Sequence, residues 1–231
     1  MSDKVFLITG ASTGIGAATA RSASQAGYRL VLAARSQDKL DALAAECGGP
    51  ERAIAVATDV TVWEDNERLA AAAVEAFGQI DVAFVNAGFG GKRSFNPNEA
   101  DTVEHWRDMV LTNVLGAAYT VRATLPAVLE SQGHILLTSS VAGRISIPGS
   151  LYSSTKWAVT GMGQSLRGEV AGTGVRVTLI EPGMVDTPFF DNRPQNALVD
   201  NDIANAVMYA VSQPAHVDVS EILVRPVAQP V

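Results

Sequence analysis

Val5-Phe6-Leu7-Ile8-Thr9-Gly10-Ala11-Ser12-Thr13-Gly14-Ile15-Gly16-Ala17 is the stretch on which the fold turns. Val5 to Thr9 is a short apolar, β-branched run that reads as a strand. It enters a glycine-rich turn directly, and Ala17 to Ala26 then reads as a helix with Gly27 as its stop. A strand, a glycine turn and a helix in this order point backbone N–H groups and the positive end of a helix dipole at an anion, such as a pyrophosphate. Gly10, Gly14 and Gly16 let the backbone approach that anion closely, with Ser12, Thr13 and Ile15 completing the loop. The spacing is GxxxGxG rather than GxGxxG, and glycine-rich turns also serve purely structural ends, so the loop needs support from the rest of the chain.

Outward from this stretch the same alternation continues. Arg29 to Ala34 is a second apolar run, Ser36 can cap a helix reaching about Cys47, and Ala53 to Ala57 forms a third strand before Asp59. A helix follows over about Trp63 to Phe77, then a strand at Val82 to Asn86, a long helix from about Val103 to Leu129 and a strand at His134 to Ser139. Another helix starts near Tyr152, a strand covers Val175 to Glu181, and a polar, proline-containing stretch runs from Pro182 to Asp202. A helix at about Ile203 to Ser212 and a strand at Glu221 to Arg225 close the pattern. Such alternation specifies an α/β fold with a doubly wound parallel sheet. No composition break or repeat interrupts it, so residues 1–231 read as one domain with a short lid at about 184–202.

Composition narrows the function. Of 231 residues, 47% are hydrophobic, enough for a core, and the formal charge of −7 disfavours nucleic-acid binding. Cys47 is the only cysteine, so an intrachain disulfide is excluded, and His105, His134 and His216 are not at metal-ligand spacing. No metal site is expected. No signal peptide and no run of 18 apolar residues is found, which leads to the expectation of a cytoplasmic protein without a membrane anchor.

Two further groups carry chemistry. The second strand ends Ala34-Arg35-Ser36, where an acid would be expected if a ribose 2′-hydroxyl were to be bound. A guanidinium with a hydroxyl beside it instead suits a 2′-phosphate, which favours NADP(H) over NAD(H); the alternative is a solvated Arg35 and a Ser36 that only caps the next helix. Asp59 could accept from an adenine amino group or serve a turn. Farther on, Ser139-Ser140 ends a strand, and Tyr152 and Lys156, at i and i+4, share a helix face. An ammonium near a phenol favours the phenolate and would lower the tyrosine pKa, and a serine hydroxyl could hold a substrate oxygen as charge develops. Neither serine lies in a Gly-x-Ser-x-Gly elbow, which argues against a hydrolase.

Taken in order, Thr9 to Gly16, Asn86-Ala87-Gly88, Asn113, Ser139-Ser140, Tyr152 with Lys156, and Pro182-Gly183 make the chain resemble the classical short-chain dehydrogenase/reductase family. The resemblance covers nearly the whole chain and implies a Rossmann-type sheet. It further implies Tyr152 as catalytic acid/base, Lys156 on the nicotinamide ribose and tuning Tyr152, Ser140 positioning the carbonyl, and Asn113 holding a water in a proton relay. Asn86, Ala87 and Gly88 would line the ribose edge, Asp59 and Val60 the adenine, and Pro182, Gly183, Val185 and Thr187 the nicotinamide. The gap from serine to tyrosine typical of the family fits Ser139, whereas Val141-Ala142-Gly143 is the context expected after Ser140, which is preferred here.

These readings describe an NADP(H)-dependent oxidoreductase acting on a small, partly apolar carbonyl or alcohol, with Phe189, Phe190 and Arg193 in its lid. Family resemblance adds a homodimer or homotetramer built on the Tyr152 helix and the one before it. The competing class is a nucleotide-binding redox-sensing or scaffold module without turnover.

Overall fold

The computed structural model describes residues 4–189 and 194–229; Phe190 and Arg193 lie outside the described residues. Strands β1 (Val5–Thr9), β2 (Arg29–Ala34), β3 (Ala53–Ala57), β4 (Val82–Val85), β5 (His134–Thr138) and β6 (Arg176–Pro182) alternate with helices α1 (Gly14–Gln25), α2 (Gln37–Glu46), α3 (Trp63–Phe77), α4 (Val103–Val110), α5 (Ala117–Ser131) and α6 (Leu151–Glu169). A two-stranded ribbon, β7 (Val185–Asp186) with β8 (Leu198–Val199), leads into α7 (Asp200–Ser212) and the last strand β9 (Glu221–Val224).

The main sheet has seven strands in the order β3-β2-β1-β4-β5-β6-β9, and every neighbouring pair is parallel. Alternation along β1 divides the core. Phe6 and Ile8 join Ala17, Ala20, Leu40 and Val207 on one face, while Val5 and Leu7 join Leu69, Val121, Val159 and Leu166 on the other. With both faces covered, the strands read as continuous apolar runs. Cys47 is buried at the C-terminal end of α2.

Three elements differ from the sequence reading. The long helix expected over 103–129 is divided: α4 ends at Val110, Leu111–Gly116 widens into a π-helical turn, and α5 resumes at Ala117. Helical periodicity persists through such a turn, so the sequence pattern does not reveal it. The stretch after β6 is less irregular than its composition suggests, because β7 and β8 pair and α7 starts at Asp200. Asp202 is what starts α7 early: its Oδ2 accepts the Val199 N–H at 2.9 Å, in the manner of a helix cap. Finally, α1 begins at Gly14, inside the glycine turn, which brings its amino end closer to β1 than expected.

Candidate active site

The crevice opens where strand order reverses, between the carboxyl ends of β1 and β4, the place where open α/β sheets bind ligands. A latch of side chains fixes this edge. The buried Thr9 Oγ1 accepts the N–H groups of Asn86 at 3.0 Å and Ala87 at 3.2 Å. In return Asn86 Nδ2 donates to the Thr9 carbonyl at 3.1 Å, and its Oδ1 accepts from Thr138 Oγ1 at 3.0 Å. Three adjacent strands are thereby tied together at their ligand-facing ends. The Asn86 carboxamide serves this latch, so at the rim the Asn86-Ala87-Gly88 segment offers its backbone, with Gly88 exposed.

Above the latch, α1 presents an open amino end. Thr13 precedes it without a side-chain cap, and its first turn carries no acidic residue. Gly10 has φ +65, and a methyl on Gly16 would lie 2.3 Å from the Gly10 carbonyl oxygen, so only glycine lets the loop fold back this tightly onto the helix. Free amides converging at a positive dipole end fit a diphosphate. At the end of β2, Arg35 is exposed, and Ser36 starts α2 without using its hydroxyl as a cap. A 2′-phosphate fits that pair. Asp59 has one carboxylate oxygen committed to a turn, accepting from Thr61 N at 2.9 Å and Thr61 Oγ1 at 2.7 Å, while Val60 packs against Gly116 of the π-helical turn.

The chemical residues meet at the end of β5. Ser150 caps α6 by accepting the Ser153 N–H at 3.1 Å, which starts the helix so that Tyr152 lies in its first turn and Lys156 in its second. Ser153 Oγ donates to the carbonyls of Ala142 and Ile145, fastening α6 to the loop after Ser140. The two serines then separate. Ser139 turns beneath α6, donating to the Lys156 carbonyl at 3.1 Å and sharing a 2.7 Å hydrogen bond with Thr160 Oγ1. Ser140 faces the crevice, hydrogen-bonded with the Tyr152 phenol, donating to the Pro182 carbonyl at 3.2 Å and accepting from Ala142 N at 3.0 Å.

Lys156 is buried, and its Nζ donates to the Thr138 carbonyl at 2.8 Å, 5.6 Å from the centre of the Tyr152 ring. Here the electrostatics depart from expectation. Burial pushes the Tyr152 phenol up to about 12, offset in part by its bond with Ser140, and burial pulls Lys156 down to about 8. Loss of water penalises both charged forms, and in the protein alone that loss outweighs attraction between them. Asn113 lies in the π-helical turn. Its Oδ1 accepts the Phe89 N–H at 3.0 Å, while its Nδ2 donates to the Phe89 carbonyl at 2.8 Å and to Thr155 Oγ1 at 3.1 Å. A methyl on Gly88 would lie 3.0 Å from Asn113 Oδ1 and 3.5 Å from Lys156 Nζ, so the two residues flank the same point of the rim.

Behind the site, Pro182 ends β6 and Thr187 reaches the glycine loop, its Cβ 3.2 Å from where a methyl on Gly14 would lie. Glu181, just before Pro182, is buried and pairs with Arg144 Nε at 2.7 Å, while Arg144 Nη2 reaches Glu221 at 2.5 Å. Thr9, Thr138 and Thr155 support the site and were missed by sequence reading. The available signal was a threonine closing each of two apolar runs, Thr9 after Val5 to Ile8 in β1 and Thr138 after Ile135 to Leu137 in β5.

A sequence model of the family described as short chain dehydrogenase matches residues 4–197. The chain belongs to the short-chain dehydrogenase family. Among relatives of this short-chain dehydrogenase, an uncharacterized oxidoreductase of Staphylococcus epidermidis is 39% identical, covering 97% of this chain and 98% of its own. One from Staphylococcus saprophyticus is 41% identical over 98% and 99%. Among solved structures, an alcohol dehydrogenase from the archaeon Thermococcus sibiricus complexed with 5-hydroxy-NADP superposes with a TM-score of 0.89 at 33% identity, covering 98% of this chain and 97% of that one. Serine dehydrogenase from Escherichia coli gives a TM-score of 0.87 at 32% identity, over 97% and 99%. The Rossmann-type sheet of this short-chain dehydrogenase is thus shared along nearly its whole length.

Proposed function

We propose that this short-chain dehydrogenase is an NADP(H)-dependent oxidoreductase that moves a hydride between nicotinamide and a carbonyl or alcohol carbon of a small, partly apolar substrate. One observation carries the reading: Ser140, Tyr152 and Lys156 converge on a single crevice beside an uncapped helix terminus. The amides of Gly10, Ser12, Thr13, Gly14, Ile15 and Gly16 would hold the diphosphate. Arg35 and Ser36 would take the 2′-phosphate, Asp59 and Val60 the adenine, and Asn86, Ala87 and Gly88 the ribose edge. Lys156 would bind the nicotinamide ribose, with Pro182, Gly183, Val185 and Thr187 along the nicotinamide. Solved relatives complexed with 5-hydroxy-NADP or NADP support this choice of cofactor.

When bound, the dinucleotide supplies or takes the hydride. The chain's own residues handle the oxygen. Ser140 and Tyr152 hold the substrate oxygen between two hydroxyls, and Tyr152 gives its proton to that oxygen as negative charge develops, or takes it back in alcohol oxidation. Lys156 and Asn113, which flank Gly88, pass a proton from solvent to the phenolate after carbonyl reduction and in the opposite direction during alcohol oxidation.

An open cleft of about 540 Å³ between α5 and α6, lined by Val121, Leu125, Pro126, Leu129, Met162 and Leu166, supports assembly of two or four copies through these helices. No helix among the described residues is long and apolar enough to cross a membrane. With a single cysteine, cytoplasmic function as one catalytic and dinucleotide-binding domain is the consistent reading.

Titration of NADPH and NADH by intrinsic fluorescence, on wild type and Arg35→Asp, tests the proposal. Preference for NADPH that is lost or inverted in the variant is expected. Binding of neither cofactor overturns the oxidoreductase reading, and tight binding without turnover of any carbonyl would instead favour a nucleotide-binding scaffold.

A further inference from the structure

The geometry points to the C-terminal tail as part of the nicotinamide half of this site, with Gln229 as its positioning residue; the inference rests on the dinucleotide reading above. Beyond β9 the chain makes a tight turn in which Gln229 N donates to the Pro226 carbonyl at 2.9 Å. The turn sends the Gln229 carboxamide back toward the segment after β6. There its Oε1 accepts the Met184 N–H at 2.9 Å.

This contact completes a set. Pro182 O accepts from Ser140 Oγ at 3.2 Å, Gly183 N donates to Val224 O at 2.7 Å, and Met184 O accepts from Leu198 N at 3.0 Å. The Met184 N–H, the remaining donor of this short run, belongs to Gln229 alone among the contacts that hold it. Gln229 therefore fixes the backbone immediately before Val185, between the segment bonded to Ser140, which is proposed to hold the substrate oxygen, and the residue proposed to meet the nicotinamide. Its fit is close: a methyl on Gly183 would lie 2.4 Å from Gln229 Oε1. Glycine at 183 is what leaves room for the Gln229 carboxamide in this position.

The adenosine half is held elsewhere, at Arg35, Ser36 and the β3 end, and that separation gives the test. NADPH and adenosine 2′,5′-bisphosphate, which lacks the nicotinamide, are titrated against wild type, Gln229→Met and Gln229→Glu. Methionine keeps the length of the side chain but accepts only weakly, and a carboxylate accepts from the same N–H. Gln229→Met should weaken NADPH about tenfold while leaving the bisphosphate within about twofold, and Gln229→Glu should bind both like wild type. Unchanged NADPH affinity in Gln229→Met overturns the role of the tail. Equal weakening of both probes does so too, because the tail would then support only the fold, and a glutamate variant as weak as methionine removes the hydrogen bond as the cause. Absence of NADPH binding by wild type overturns the dinucleotide reading itself, an outcome distinct from the others.

Discussion

Phe189 stands edge-on to Tyr152, with ring centroids 5.4 Å apart and planes at 66°. The phenylalanine comes from the segment after β7, reaches over Gly90, and covers the phenol while remaining 38% exposed itself. It sets an apolar wall beside the phenol and contributes to the dryness that raises the phenol.

Removing that wall separates substrate from cofactor. Phe189→Ala should raise KM for a small apolar ketone about tenfold and leave NADPH affinity within about twofold, since an aromatic edge contact and its buried area together are worth roughly 1–2 kcal/mol. Water admitted to the phenol should also lower its titration midpoint from about 12, readable by ultraviolet difference spectra of tyrosinate against Tyr152→Phe.

The two serines make a sharper comparison. Tyr152→Phe should reduce kcat by about 10²- to 10⁴-fold with NADPH affinity retained, the span expected for loss of a general acid. Ser140→Ala removes the partner of the phenol and should also lower kcat. Ser139→Ala leaves that contact intact and breaks the bonds to Lys156 O and Thr160, so it should cost about 1 kcal/mol in urea unfolding and change kcat less than about threefold. Equal kinetic loss in both serine variants would show that Ser139 belongs to the chemistry.

Lys156 links the site to stability. Its ordinary pKa of 10.5 falls to about 8 in the folded protein, so between these values the unfolded chain binds a proton that the folded chain has released. Stability from this group therefore rises with pH across that window and is lost as pH falls through 8. Tyr152, raised from 10.0 to about 12, acts in the opposite sense only above pH 10. Urea midpoints between pH 7 and 10 should climb more steeply for wild type than for Lys156→Met. Parallel slopes would show that the ammonium is not desolvated as described.

Much of this protein was legible in its sequence. The strand and helix order, the parallel sheet, the glycine loop and the positions of Tyr152 and Lys156 follow from patterns within a few residues of one another. Less was legible where distant segments meet. Asp59 offered an adenine contact or a turn, and only Thr61 and Asp65 around it show how its groups are engaged. Asn113 matched a motif, but its grip on both backbone groups of Phe89 spans 24 residues and leaves no local signal. Even the π-helical turn that carries it is invisible to helical periodicity.

What the sequence determined by itself is therefore the path of the chain and the kinds of groups along it, because hydrophobic period, glycine turns and i,i+4 spacing are local properties. What only the tertiary structure decided is which serine meets the phenol, that Phe189 meets Tyr152 and Gln229 meets Met184, and the direction in which Tyr152 and Lys156 titrate. Those outcomes depend on burial and on contacts between residues far apart in the chain, and desolvation of a side chain is set by everything that folds around it.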